Sequence, residues 1–321
     1  MISASVVVCT RNRWPLLEAC LASLALQTFA EPEIVVVDNG STDETKPELE
    51  AWRRAGDRRV VVAEPAAGLS RSRNRGLEVA QGDLVLFLDD DALAPVAWVA
   101  AHAALYDDER IVGAGGPVVL TFPYGRPRWA GSALEHWWSA LSHGEESKPF
   151  PGPHGPYGTN MSMRRATAIA AGSFSHRLGR VGRSLVSSEE ADLFDRLKTY
   201  GVIWYEPAAV VMHQVTPDRL RRRWLLRRGA AQGRTNARRE GVLSGRQLYA
   251  SCAAHLAVAW RRPAPRWRAL VTESNDDGSA LNEWCVRAGH LAWAGEHLLQ
   301  RAPGRRTIRP EQSVVAPVES K

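Results

Sequence analysis

Cysteine is scarce in this 321-residue chain: Cys9, Cys20, Cys252 and Cys285 show no CxxC spacing and are too few for a disulfide scaffold, so free buried thiols are expected. No apolar run approaches the ~20 residues of a membrane-spanning helix. The best, Leu248 to Trp260, is uncharged but short and contains Ser251 and His255. The strand-like Ser5 to Cys9 follows the N-terminus with no basic n-region or long apolar h-region before it, so no secretory leader is expected and the chain reads as cytoplasmic. Glycine is absent from Thr10 to Leu16, which removes the GxGxxG turn and with it a dinucleotide oxidoreductase. Carboxylates are nearly absent from Arg219 to Arg246, where ten arginines face one Glu240.

What is present suits a globular enzyme, with 45% hydrophobic and 24% charged residues. Strand and helix patterns alternate: Ser5 to Thr10, then a helical face of Leu16, Leu17, Cys20, Leu21 and Leu24; Glu33 to Val37, then a helix with Leu49 and Trp52 whose Ser41 and Glu44 have capping-box spacing. Val60 to Ala63, a helix over Ser70 to Ala80, and Leu84 to Leu88 follow. Such alternation predicts an α/β fold with a mainly parallel sheet flanked by helices. After a helix around Trp98 to Tyr106, Ile111 to Leu120 reads as strand, and Phe122 to Pro156 as a functional loop rich in Pro, Gly and Trp. Order returns with Thr159 to Met163, a helix from about Glu189 to Tyr200, and strands Val202 to Tyr205 and Ala209 to His213. A helix over Asp218 to Glu240 comes next.

In an open α/β sheet, ligands bind beyond the carboxyl ends of strands. Thr10, Arg11 and Asn12 follow the first strand here, Asp38 and Asn39 the second, Gly68 to Arg71 the third, and Asp89, Asp90 and Asp91 the fourth. Three adjacent carboxylates repel one another unless a cation or strong donors are near. A divalent metal, Mn²⁺ or Mg²⁺, answers that need, and a solvated acidic turn capping the next helix is the alternative.

In order and spacing, Val6 to Arg13, Val35 to Asp43, Gly68 to Gly76 and Gly82 to Asp91 resemble the family 2 glycosyltransferases of the GT-A fold, over about residues 3 to 216. The resemblance implies that Thr10, Arg11, Asn12 and Asp38 hold the nucleoside of a nucleoside diphosphate sugar, with Arg71 nearby. It implies a DxD pair in Asp89 and Asp91, with Asp91 on the metal, and Asp90 reaching the ribose or donor sugar. Ser188 to Leu193 resembles the family's acidic motif, with Glu-Glu in place of the usual Glu-Asp. Glu190 then takes the place of the general base, leaving Glu189 and Asp192 as alternatives. His213 sits where many members carry a histidine near diphosphate and metal, and Asn160 lies on the strand beside the acceptor.

Trp129, Trp137, Trp138 and Tyr157 offer flat faces for an acceptor, with core packing as the alternative; Trp137 and Trp138 are the acceptor candidates. The arginines from Arg219 to Arg246 imply an anionic partner, such as the donor diphosphate, a phosphorylated acceptor or an acidic membrane surface met peripherally from its inner face. Nucleic acid is not expected, since no nucleic-acid motif accompanies them. The reading is a metal-dependent, inverting glycosyltransferase acting on a hydroxyl acceptor, with a UDP-sugar favoured as donor. Its domain occupies residues 1–216, with a nucleotide-sugar half to about 115 and an acceptor half over 116–216. A helical Arg-rich extension over 217–300 and a disordered tail over 301–321 complete the expectation. The rivals are a nucleotidyltransferase, which would release pyrophosphate, and a non-catalytic scaffold binding anionic surfaces.

Overall fold

A strand that is apolar at every position must be covered on both faces, and the valine-rich runs of this chain are so placed. The computed structural model describes residues 2–152, 155–182, 184–185, 187–239 and 285–293. The stretch Leu248 to Trp260, Cys252, Arg246 and the tail 301–321 lie outside the described residues.

Strands β1 (Ala4–Thr10), β2 (Glu33–Asp38), β3 (Arg59–Ala63) and β4 (Leu84–Asp89) run parallel in the order β3-β2-β1-β4. Helices α1 (Trp14–Leu24), α2 (Thr45–Arg54) and α3 (Leu69–Val79) connect them. Successive side chains point to opposite faces, so Val6, Val8 and Leu86 pack with Leu17, Leu21 and Trp98 on one side. Val7, Val35 and Phe87 pack with Leu77, Met161 and Phe194 on the other. Each fully buried side chain of this kind contributes about 1.5–3 kcal/mol.

Beyond β4 come β5 (Ala92–Leu93), α4 (Trp98–Leu105), β6 (Ile111–Gly115), β7 (Val118–Thr121), a 3-10 helix (Ser132–Trp138), β8 (Lys148–Pro149) and β9 (Asn160–Arg164). They are followed by α5 (Arg165–Ala170), α6 (Glu189–Leu197), β10 (Val202–Tyr205), β11 (Val211–Gln214) and α7 (Arg222–Arg239). β9 runs antiparallel between β4 and β6, which makes the eight-stranded sheet mixed but mostly parallel. A small second sheet has the order β5-β11-β7.

Three local expectations are corrected. The run Ile111 to Leu120 is two strands in two sheets, broken at Gly116, where a side-chain carbon would collide with the carbonyls of Ala209 and Glu206. The capping box does not form: the Asp43 carboxylate accepts the Thr45 N–H at 3.0 Å, and the Ser41 hydroxyl is taken by the Asn12 N–H at 3.0 Å. The α7 helix begins at Arg222 rather than Asp218.

Candidate active site

Parallel pairing in register brings the polar strand ends to one edge: Thr10 lies opposite Asp38, and Cys9 opposite Asp89. The cleft there, about 440 Å³, is lined by Thr10, Arg11, Asp89, Asp90 and Asp91 on the strand side and by Trp137, Tyr157, Glu189, Glu190 and Arg228 across it. Asn39 ties the rim together. Its N–H donates to the Thr10 carbonyl at 2.9 Å, its amide to Glu64 and Ala66 carbonyls, and its oxygen accepts the Gly68 N–H at 3.0 Å.

Each aspartate has its own partners. Asp91 is buried, with Arg13 and Arg219 each 3.0 Å from Oδ2 and His213 Nε2 3.1 Å from Oδ1. Burial by itself would raise its pKa, but Arg219, His213 and Arg13 together hold it well below the usual carboxylate range. Asp90 accepts from the Thr10 hydroxyl at 2.8 Å and from Arg13 at 3.0 Å, yet burial, with Asp91 alongside, pushes it up to about 6. Asp89 accepts from the Thr159 hydroxyl at 2.7 Å and faces Arg73 at 3.4 Å.

The same Arg73 reaches across to Glu189 at 2.7 Å, and Gly158 leaves room for its guanidinium, which a side chain there would strike. Glu189 and Glu190 open α6 behind Ser188, which is held in the left-handed region at φ 75°. Each has an Oε2 that is buried without a hydrogen bond. Burial, with Glu189 adding repulsion, pushes Glu190 up to about 7.

His213 and Asp91 can serve a cation. The His213 Nδ1 donates to the Trp138 carbonyl at 2.7 Å, which leaves Nε2 to accept from the Arg219 guanidinium at 3.0 Å beside the unbonded Asp91 Oδ1 at 3.1 Å, so a cation there would take the place of that Arg219 contact. A carboxylate oxygen and an imidazole nitrogen suit Mn²⁺ or Mg²⁺ when diphosphate oxygens supply other ligands. Among the described residues no group of three or more His, Cys, Asp or Glu side chains is arranged to hold a metal by itself. Asp89 does not join the pair, being turned to Thr159 and Arg73.

Several expected site residues do other work. Asn160 is fully buried: its oxygen meets Trp98 Nε1 at 2.9 Å and His102 Nε2 at 3.1 Å, and its amide donates to the Pro117 and Ala209 carbonyls. No hydrogen-bonding capacity remains for an acceptor. Trp138 is 1% exposed in a core with Leu134 and Leu225, its indole N–H spent on the Arg219 carbonyl at 3.1 Å, so it is no platform; Trp137 does line the cleft. Asp192 pairs with Arg196 at 2.8 Å outside the cleft lining, which leaves Glu189 and Glu190 as the cleft's candidates for the base. Asn12, at φ 53°, locks the loops after β1 and β2 by accepting the Thr42 N–H at 2.7 Å, and Asp38 accepts the Ser41 N–H at 2.9 Å. Arg71 is exposed and outside the lining.

Arg13, Arg73 and Arg180 carry no site role in the sequence reading, and Arg219 and Arg228 enter it only within the basic stretch from Arg219 to Arg246, yet all five line the cleft. Arg13 and Arg73 fall inside the quoted motifs, where their type was a usable signal. Arg180 sits in an irregular loop whose local pattern carries none.

Solved structures share this architecture. The mannosyltransferase PcManGT from Pyrobaculum calidifontis, in complex with GDP-Man and Mn²⁺, matches with a TM-score of 0.54 at 19% identity, over 92% of this chain and 75% of that one. S. aureus TarS 1-349 in complex with UDP matches with a TM-score of 0.52 at 18% identity, over 92% of each. The fold is therefore that of the GT-A glycosyltransferases. The model of glycosyl transferase family 2 matches residues 5–170, and the chain belongs to that family. The glucosyl-dolichyl phosphate glucuronosyltransferase of Haloferax volcanii is 28% identical over 237 residues, 72% of this chain and 75% of that protein. The chain is thus a glycosyltransferase that moves sugar from a nucleotide sugar to an acceptor. Among the described residues no helix is long and apolar enough to cross a membrane.

Proposed function

We propose that this enzyme is a metal-dependent, inverting glycosyltransferase in which Glu190 takes the proton of an acceptor hydroxyl. The observation that carries it is the pairing of two walls: an aspartate cluster in which His213 flanks the unbonded Asp91 Oδ1, and across the cleft a half-buried Glu190 whose buried Oε2 lacks a partner. A carboxyl near pH 7 is matched to general-base work, being ionised often enough to accept a proton and basic enough to hold it. Thr10 and Arg11 face the nucleotide, with Asp38, Asn12 and Asn39 shaping that rim. Asp91 and His213 would hold Mn²⁺ or Mg²⁺, whose chemistry there is to offset charge on the departing diphosphate. Arg13 and Arg219 lie close enough to Asp91 to add positive charge on the same side. Among the described residues, the carboxylates offered as base, Glu190 with Glu189 beside it, lie on one wall, while the aspartates opposite are paired with arginines, which favours single displacement with inversion.

The donor is read as a UDP-sugar. PcManGT with GDP-Man and TarS with UDP support a nucleoside diphosphate, and the relative named for a glucosyl-dolichyl phosphate acceptor supports a hydroxyl on a phosphate-linked glycan. The domain division proposed is 1–216 with an arginine-rich extension that completes the cleft, since Arg219 and Arg228 line it. Arg221, Arg223 and Arg227 point to solvent and suit peripheral contact with an anionic membrane surface. The test is incubation with a panel of UDP-, GDP- and TDP-sugars and Mn²⁺, with detection of released nucleotide and NMR of the product. Free nucleoside diphosphate and an inverted anomeric centre are expected. Pyrophosphate release, or retention of configuration, would count against it.

A further inference from the structure

Arginines enter the cleft in two kinds. Arg13 and Arg219 are paired with Asp90 and Asp91, and Arg73 with Asp89 and Glu189. Arg180 and Arg228 are not paired in this way. Among the described residues, no hydrogen bond or ion pair reaches the Arg180 guanidinium. Among the described residues Arg228 donates only to neutral oxygens, the Leu185 carbonyl at 3.2 Å and the Ser187 hydroxyl at 3.1 Å. The two are also neighbours in charge. Burial, with Arg180 next, lowers Arg228 to about 10, and burial, with Arg219 next, lowers Arg180.

Asp89, Glu189 and Asp91 act on Arg180, and Glu190 and Glu189 on Arg228, but among the described residues no carboxylate is hydrogen-bonded to either guanidinium. Two half-buried neighbouring cations left without a direct ion pair suit an anion that arrives with a ligand. The donor diphosphate is the first anion to weigh, and its place is the strand-end wall with Asp91 and His213. Arg228 belongs to the other wall: after Arg180, its strongest electrostatic neighbours are Glu190, Glu189 and Tyr157. It shares one face of α7 with Gln232 and Asn236, spaced four residues apart, and both line the cleft with it. A carboxylate is satisfied by a single guanidinium fork, whereas two forks and two amides match the charge and the three oxygens of a phosphate.

We infer that Arg180 and Arg228 form an oxyanion subsite on the acceptor side, and that the acceptor carries a phosphate held there while its hydroxyl faces Glu190. This rests on the glycosyltransferase reading of the cleft and names its acceptor class. Phosphate on a soluble sugar and phosphate linking a glycan to a lipid present the same chemistry, and the test separates them.

The full chain, saturated with UDP, or with GDP or TDP if that nucleotide is the one bound, and Mn²⁺ so that the donor site is filled, is titrated calorimetrically with three probes. These are glucose 1-phosphate, octyl phosphate and neutral octyl glucoside. At least one phosphate probe should bind the nucleotide-loaded protein, and the neutral probe should bind at least about tenfold more weakly. Binding of glucose 1-phosphate alone assigns a soluble phosphosugar, and binding of octyl phosphate alone a lipid-linked one. R180Q and R228Q should each weaken the phosphate probe at least about tenfold while leaving nucleotide affinity within about twofold, and R228K, which keeps the charge but not the fork, should recover only part of the loss. Unchanged nucleotide affinity also shows that the variants are folded. The proposal is overturned if no phosphate probe binds, if octyl glucoside binds as tightly, or if R228Q weakens nucleotide by the same factor as the probe. If none of the three nucleotides binds at all, the glycosyltransferase reading of the cleft itself falls, and the acceptor assignment with it.

Discussion

The two walls of the cleft are built on opposite electrostatic plans. On the strand-end wall every aspartate meets a cation: Asp90 and Asp91 share Arg13 at 3.0 Å, Asp91 adds Arg219 at 3.0 Å, and Asp89 faces Arg73 at 3.4 Å. On the helical wall, Glu190 has a buried oxygen with no partner, and Arg228 touches only neutral groups. The first wall is balanced within the protein except at the unbonded Asp91 Oδ1, while the second, apart from the Glu189 pair with Arg73, is left for a ligand to complete. Ionised groups keep their charge only where something answers it, so Asp91 stays a carboxylate while Glu190 hovers near neutral pH. The proposed inverting mechanism uses that asymmetry, with fixed charge where a diphosphate would leave and a basic carboxylate where a hydroxyl would arrive.

Breaking the helical wall should have the largest effect. Glu190→Gln should lower kcat by about 10²–10⁴-fold with nucleotide affinity retained, as measured by steady-state kinetics and calorimetry. The wild-type rate should fall as pH drops below about 7, because the base must be deprotonated, and that limb should vanish from the residual activity of the variant. The sign for stability is opposite. The folded Glu190 pKa is raised, so its burial costs more as pH rises from the unfolded value of 4.5 through about 7. Glu190→Gln should therefore raise Tm at pH 8 relative to wild type and change it little at pH 4.

Arg73 joins the walls, and Arg73→Gln should cost about 3–5 kcal/mol in urea unfolding, because it leaves Glu189 buried without its cation. A loss below about 1 kcal/mol would mean that the walls are held together by packing alone. Asp91→Asn attacks the balanced wall. It should reduce kcat/KM by about 10²–10³-fold and abolish any Mn²⁺ dependence of nucleotide binding. Smallest is His213→Gln, expected to weaken Mn²⁺ by about 10–100-fold in a titration with nucleotide present, while the Asp91 pairs with Arg13 and Arg219 persist. Equal Mn²⁺ affinity in this variant would assign His213 a purely structural role.

The residues that misled share one cause. Asn160, Trp138 and Asp192 have types that serve binding as readily as structure, and a linear pattern cannot tell which neighbours claim them first. Asn160 spends its hydrogen bonds on Trp98, His102, Pro117 and Ala209, residues up to 62 positions away in the chain. Trp138 lies next to Trp137 in sequence, yet one is sealed in a core and the other borders the cleft. Conversely, the arginines of the stripe from Arg219 onward read as one basic surface, but Arg219 and Arg228 turn inward while Arg221, Arg223 and Arg227 face solvent.

The sequence by itself determined the parallel βα order and the placing of polar residues after strands, and it offered Asp91 and Glu190 as candidates. Those features follow from short-range periodicity and from motifs confined to a few residues. Only the tertiary structure decided which charges pair across the cleft. Arg73 binds a carboxylate 116 residues away, and Arg219 one in the turn between β4 and β5, through contacts that depend on how the helices close over the sheet. Electrostatic pairing acts over a few ångströms in space and takes no account of separation along the chain.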